Sequence, residues 1–232
     1  MLTASAIAQI GTDDVKVGTV LDASGIKMLG FGGKPLPLPP GSWEVVSRID
    51  SSYALTGGSN TSAPKVDLTM RNINASTSNI AAMVVTYSPE VTRIRWSNNR
   101  CESTSANAVE DNGTTTGSNN YICSKSTYGT TGGKKFVQDA ATSTNPWVKA
   151  HVPSLMPYIN DIPDANVLIN IVANRDRGRI VVFDMIAKSN GTVKTGDAFD
   201  QDIRAWMKAT GAAIVSFLDS DASTIGAFPA AK

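Results

Sequence analysis

The chain has few of the residues from which most metal sites and hydrolytic active sites are built. Its 232 residues include one histidine, His151, and two cysteines, Cys101 and Cys123. A structural zinc site needs four Cys or His ligands, so we expect no metal, and no motif suggests another cofactor. A Ser-His-Asp triad would have to use His151, and the sequence contains no Gly-x-Ser-x-Gly nucleophile elbow. We therefore expect His151 to pack or to lie at the surface, and we lean against enzymatic activity.

Charge is also scarce, and it is balanced. Charged residues make up 18% of the chain. There are 21 basic and 20 acidic residues, which gives a net charge of +1. No broad positive field is expected, so nucleic acid is not an expected partner. The sequence has no apolar run of about 18 residues, so it predicts no transmembrane segment. Ser, Thr, Asn and Gly are abundant instead, which is typical of exported proteins rich in β-structure.

Two further patterns predict export. The first residues, MLTASAIAQ, contain Ala6-Ile7-Ala8, a small-x-small pattern like that before a signal-peptide cleavage site. The basic and long apolar parts of a signal are missing, so residues 1–8 are either a signal-peptide remnant or an ordinary terminus. Cys101 and Cys123 lie in polar sequence, whereas buried free cysteines usually lie among hydrophobic residues. We predict a disulfide between them, which would persist in an oxidising, periplasmic or secreted location.

The remaining residues, 9–232, predict a single α+β domain. Apolar residues at helical spacing indicate a long helix, Ala198–Leu218, and Asn145-Pro146 is typical of the start of a short one. We expect an antiparallel sheet covered by a long C-terminal helix and a short middle helix. The segment near 98–144 has the lowest hydrophobicity, and we predict a polar insertion that the disulfide closes. Alternating or short apolar runs predict the strands, which are Ser42–Ile49, Lys65–Ile73, Ile80–Tyr87, Val91–Trp96 and a central hairpin over 167–187.

Arginines are the strongest candidates for binding a small ligand. Arg175, Arg177 and Arg179 cluster at the turn of the hairpin, and Arg93 and Arg95 share one face of a predicted strand. On one side of the fold they would bind a carboxylate or phosphate through bidentate, charge-assisted contacts. The simpler interpretation is a charged turn and a strand face exposed to water.

Carboxylates are the only catalytic residue type in good supply. An acid/base pair needs one carboxyl group whose pKa is raised by a pocket. Asp184 and Glu44 each lie inside an apolar strand, so they are the nearest candidates, provided that their side chains point inward.

Residues 33–46, GKPLPLPPGSWEVV, resemble the opening of uncharacterised exported bacterial proteins, in which a Pro-Leu-Pro-x-Gly-x-Trp segment leads into the first strand. This resemblance implies export and no particular activity. A sheet that is entered in this way and ends under a long C-terminal helix is also similar to the PsbP/Mog1-like α-β-α sandwich, from which the predicted insertion departs. A shared fold would not assign a function.

The sequence thus favours an exported, non-enzymatic envelope accessory or binding protein. It would present its sheet face or its Cys101 to Cys123 loop to a partner, such as an envelope protein. The alternatives are a carboxylate-dependent hydrolase and a binder of a small anionic ligand that uses the arginine cluster.

Overall fold

A computed structural model of the chain describes residues 14–23, 25–27, 34–53, 63–74, 79–88, 108–113, 121–128, 132–164, 166–175, 179–189, 191, 193–219, 221 and 223–230. The strands in these ranges are β1 (Val20–Leu21), β2 (Ile26–Lys27), β3 (Pro35–Leu36), β4 (Trp43–Tyr53), β5 (Ala63–Asn72), β6 (Ile80–Tyr87), β7 (Ala108–Gly113), β8 (Tyr121–Tyr128), β9 (Asn166–Arg175) and β10 (Arg179–Lys188).

One antiparallel sheet holds eight of these strands, in the order β1-β4-β5-β6-β10-β9-β8-β7. Strands β4 to β6 form one meander and β7 to β10 form another, and the two meanders join where β10 pairs with β6. The hairpin predicted over 167–187 is present as β9 and β10, which lie at the centre of the sheet. Strands β2 and β3 form a separate two-stranded ribbon. The predicted α+β class is confirmed.

The described helices are α1 (Gly133–Asp139), α2 (Pro146–His151) and α3 (Ala198–Leu218), together with a 3₁₀ turn (Ala140–Thr142) and a 3₁₀ segment (Val152–Asp161). Helix α2 begins as predicted, because the Asn145 side chain accepts hydrogen bonds from the backbone N–H groups of Trp147 and Val148. Helix α3 has the predicted bounds and is capped by Asp197. Pro153 and Pro157 keep the chain after α2 from continuing as a regular α-helix.

Helix α3 covers one side of the sheet, which we call the α3 face. Alternate residues of β9 and β10 point to this side, and they pack against apolar side chains of α3. The buried side chains include Ile169, Ile171, Val181, Phe183 and Met185 of the sheet and Ile203, Met207, Ile214 and Phe217 of the helix. This layer is the larger apolar core.

The opposite side, which we call the second face, carries α1, α2 and the 3₁₀ segment. Here a smaller apolar cluster joins Ala82 and Ile186 of the sheet to Val137 of α1 and to Val152 and Leu155 of the 3₁₀ segment. The sheet is therefore covered by helical elements on both faces.

The predicted polar insertion near 98–144 needs a correction, because its described part supplies β7, β8 and α1. Strand β8 lies inside the sheet, between β9 and β7. It turns Ser124 and Ser126 toward the α3 face, where both are buried, and the Ser126 hydroxyl is 3.3 Å from that of Tyr128. Buried hydroxyl side chains lowered the hydrophobicity of this strand without making it a loop. Cys101 lies outside the described residues, so the disulfide stays a prediction.

Two other predictions also lie outside the described residues, namely the strand Val91–Trp96 and the signal-peptide remnant over 1–8. Among the helices that are described, none combines the length and apolar character that crossing a bilayer requires.

Candidate functional site

A cavity of about 390 Å³ lies between the second face of the sheet and the short helices. Strands β6, β8, β9 and β10 form its floor. Its roof consists of the N-cap residue Asn145 and of apolar and aromatic side chains, which are Phe136 of α1, Trp147 and Val148 of α2, and Val152 and Leu155 of the 3₁₀ segment. Cavities that bind small molecules are usually apolar, with a few polar groups that fix the ligand's orientation.

The polar groups of the floor form a row across three neighbouring strands. Asp184 of β10 lies opposite Asn170 of β9, and Asn170 lies opposite Lys125 of β8. Directly paired residues of neighbouring strands point to the same face of a sheet. All three side chains line the cavity, and the Asn170 amide Nδ2 donates a hydrogen bond to Asp184 Oδ1 at 2.7 Å.

Asp184 is the most perturbed group at this site. Burial raises the pKa of its carboxyl to about 7, the hydrogen bond from Asn170 opposes this effect, and the charge of Asp67 adds to it. Within the described structure, Asn170 is the only hydrogen-bond partner of this carboxyl group. Near neutral pH the carboxyl therefore exists in both protonation states, and one of its oxygens is open to a ligand.

A second buried cluster lies beside the cavity, centred on Asp67 of β5. Thr86 donates a hydrogen bond to Asp67, Lys65 Nζ is 2.8 Å from Asp67 Oδ2, and His151 Nε2 is 3.8 Å from the same oxygen. Burial lowers the pKa of His151, the Asp67 carboxylate opposes this shift and Lys65 adds to it. The imidazole is thus favoured in its neutral form, and it packs against Trp147 with ring centroids 5.3 Å apart. His151 therefore ties α2 to the sheet and does not line the cavity.

The structure places two of the five candidate arginines, and both lie on the α3 face. Arg175 Nε is 3.2 Å from both carboxylate oxygens of Asp219, and Arg179 donates a hydrogen bond to the carbonyl of Leu218. Both side chains thus hold the C-terminal end of α3, where the helix dipole favours positive charge. Arg93, Arg95 and Arg177 lie outside the described residues, so anion binding by the full cluster stays a prediction.

Of the two candidate carboxylates, only Asp184 lines the cavity. Glu44 lies on β4, which is three strands from β10, or roughly 14 Å at the usual strand spacing. It pairs with Arg71 across the strands, at 2.6 Å between Oε2 and Nη2. The guanidinium of Arg71 lies 4.1 Å from the ring centre of Tyr158. These contacts give Glu44 a structural role and keep it apart from Asp184.

Sequence reasoning did not identify Asn170 or Lys125 as site residues. For Asn170, however, the register of the hairpin provides a signal. The hairpin pairs Arg175 with Arg179, and this register sets Asn170 opposite Asp184. Two polar residues that lie opposite each other in an otherwise apolar hairpin point to the same face of the sheet, so they indicate a local polar site there. Lys125 lacks such a signal, because the composition of its strand is that of a polar insertion.

Among the residues that the structure describes, no group of three or more His, Cys, Asp and Glu side chains could hold a metal ion. Comparisons of the chain with protein-family models, curated proteins and solved structures find no match. A function for this chain therefore has to be inferred from the geometry of the cavity.

Proposed function

We propose that this protein is a non-enzymatic binding protein that holds a small, largely apolar molecule between its sheet and its short helices. The observation that carries this proposal is the Asp184 carboxyl, which is desolvated, has one hydrogen-bond partner in the described structure and faces a cavity. Leaving such a group without full hydrogen bonding costs folding free energy. Strongly perturbed carboxyl groups in cavities are typical of functional sites.

The cavity also supports a ligand of limited size. Its volume of about 390 Å³ is near the lower end of the range for small-molecule pockets. Its roof offers two aromatic rings, Phe136 and Trp147, and the aliphatic side chains around them add apolar surface. A ligand with an apolar body and one polar end fits this distribution.

Binding is favoured over the hydrolase alternative by the composition of the lining. Acid/base hydrolysis by carboxylates uses two such groups with different pKa values. In the described lining of the cavity, Asp184 is the only carboxyl group. Glu44, the other candidate, is engaged by Arg71 on a distant strand.

Binding of 1-octanol and octylamine to the purified protein, measured by isothermal titration calorimetry, tests the proposal. We expect saturable binding at one site per chain, and we expect Val84→Phe to abolish it because Val84 lies on the floor next to Asp184. Met156→Phe is the matched control, since Met156 is 46% exposed and outside the lining. A wild-type protein that binds neither probe, or a folded Val84→Phe variant that binds as well as wild type, would remove the proposal.

We also propose that the protein works in an export compartment, with Cys101 paired to Cys123. The support is the small-x-small segment at residues 6–8 and the polar surroundings of both cysteines in sequence. Intact mass and thiol titration of protein from the native host's export fraction test this part. Loss of residues 1–8 and the absence of titratable thiols are expected, whereas a retained Met1 with two free thiols would refute it.

A further inference from the structure

We propose, building on the binding function above, that the ligand is an apolar primary amine whose nitrogen is held by Asp184 and Asn170 while its apolar body lies under Trp147 and Phe136. This assigns a chemical class to the ligand.

The pattern of hydrogen-bond acceptors on the floor supports an amine. Asn170 uses its amide N–H to bind Asp184 Oδ1. With Asp184 ionised, the acceptors left for a ligand at this pair are the second carboxylate oxygen of Asp184 and the amide oxygen of Asn170, for which the described structure shows no other hydrogen bond. Two adjacent acceptors are best satisfied by a ligand with at least two donors. A primary ammonium offers three donors and no acceptor, a hydroxyl offers one donor, and a carboxylate offers none.

The charges around Asp184 also favour an ammonium ligand. Asp67 of β5 adds negative potential at Asp184, and Lys65 is paired with Asp67 at 2.8 Å. His151 of α2 lies beyond Asp67 and is favoured in its neutral form. No described cation lies within ion-pair distance of Asp184 itself, so a bound ammonium would supply the missing counter-charge.

Lys125 is the one described cation in the cavity lining, and its position leaves the Asp184 charge uncompensated. It is paired across the strands with Asn170, one strand further from Asp184. Its side chain is half-buried, and lysines in such positions extend the ammonium group toward water along an apolar stem. The roof opposite the row carries the rings of Phe136 and Trp147, and aromatic faces attract cations.

Amine binding should be coupled to the release of a proton from Asp184. With the carboxyl pKa at about 7, an ammonium ion binds best to the ionised form and therefore drives a proton off Asp184. An alkylamine keeps its charge below pH 9, since its own pKa is near that of lysine, about 10.4. Raising the pH from 5 to 8 should then tighten amine binding by about 100-fold, because the ionised fraction of Asp184 rises by about that factor.

The experiment compares three probes of equal chain length, octylamine, 1-octanol and octanoate, by calorimetry at pH 5 and pH 8. At pH 8 we expect octylamine to bind about tenfold or more tightly than the other two, as charge-assisted hydrogen bonds imply. At pH 6.5, titrations in two buffers that differ in ionisation enthalpy should show proton release with octylamine and none with 1-octanol.

Asp184→Asn should remove the preference for octylamine and its pH dependence while 1-octanol still binds. Asp139→Asn is the matched control, since it removes an exposed carboxylate outside the lining and should keep the preference. Equal or tighter binding of 1-octanol by the wild type would overturn the amine proposal and leave the binding function standing. Tightest binding of octanoate, lost in Lys125→Gln, would overturn it in favour of an anionic ligand. If no probe binds, the binding function itself fails.

Discussion

Replacing Asp184 by asparagine should stabilise the empty protein at neutral and alkaline pH. The carboxyl has a pKa of about 7 in the folded chain, against an ordinary value of 3.8. Between these values the folded state binds more protons than the unfolded state, so the free energy of unfolding falls as the pH rises from about 4 to about 7. The pKa difference corresponds to at most about 4 kcal/mol, and any water in the cavity reduces this figure.

Asp184→Asn removes this titration, and its new amide oxygen can still accept the hydrogen bond from Asn170. We therefore expect the two proteins to have similar stability near pH 4 and to diverge with rising pH, until the variant is the more stable at pH 8 by no more than about 4 kcal/mol. Urea unfolding at pH 4.5, 6 and 8 measures the difference, in which the other titrating groups cancel. Asp139→Asn should follow the wild-type curve. Parallel pH profiles for wild type and Asp184→Asn, or a less stable variant at pH 8, would refute the reasoning.

Three further substitutions test other parts of the fold, each by urea unfolding. Burial lowers the pKa of His151, so the contribution of this residue to stability falls as the pH drops below 6.5, opposite in sign to that of Asp184. The stability of wild type relative to His151→Gln should therefore fall between pH 7 and pH 5, and a difference that does not change with pH would contradict this. A Cβ on Gly211 would lie 2.9 Å from Ile122 Cγ2. Gly211→Ala should therefore destabilise the wild type, although alanine has a helix propensity about 1 kcal/mol more favourable than glycine. In an Ile122→Ala background, where the contact is absent, the same substitution should be stabilising. Increased stability in both backgrounds would argue against the close contact. Tyr128→Phe removes a hydroxyl that donates to the buried Asp200 and should cost about 1 to 3 kcal/mol; a change below about 0.5 kcal/mol would show that this bond contributes little.

The parts of the fold that the sequence predicted are those whose patterns are strong and local. Helix α3 follows a cap at Asp197 and keeps its apolar spacing to Leu218, and α2 begins with Asn145-Pro146. The β9 and β10 hairpin is apolar on both faces because helical elements cover both sides of the sheet. These features need only neighbouring residues to be recognised.

The order of the strands depends on long-range pairing, which local patterns do not encode. Strand β8 pairs with β9 across a separation that contains α1 and α2. The sequence did not predict this strand, because Ser124 and Ser126 are typical of loops. Their burial is understood only from the structure, where a polar patch forms around Tyr128 and Asp200.

The candidate site was predictable only in part, because it too depends on which strands pair and in which register. The rule that identified Asp184, a carboxyl inside an apolar strand, also identified Glu44. The two differ in what lies across the strand: Asn170 leaves Asp184 with an open oxygen, whereas Arg71 pairs with Glu44. Cross-strand neighbours are known only once the register is known, so the pattern alone could not separate a cavity residue from a structural ion pair.

The two faces of the sheet differ in how completely they are packed, and the proposed ligand site lies on the less completely packed face. On the α3 face a continuous helix of 21 residues fits the apolar strands closely and leaves Phe183 and Phe217 fully buried. On the second face the covering helices are short and interrupted by prolines, so they cannot fill the space above the floor, and the polar row faces a cavity. Asp184 destabilises the empty protein on this face, and a bound cation would offset that destabilisation by favouring the ionised carboxyl. Because a ligand that binds only the folded state stabilises it, the proposed ligand would add stability on the face where the protein's own packing is less complete.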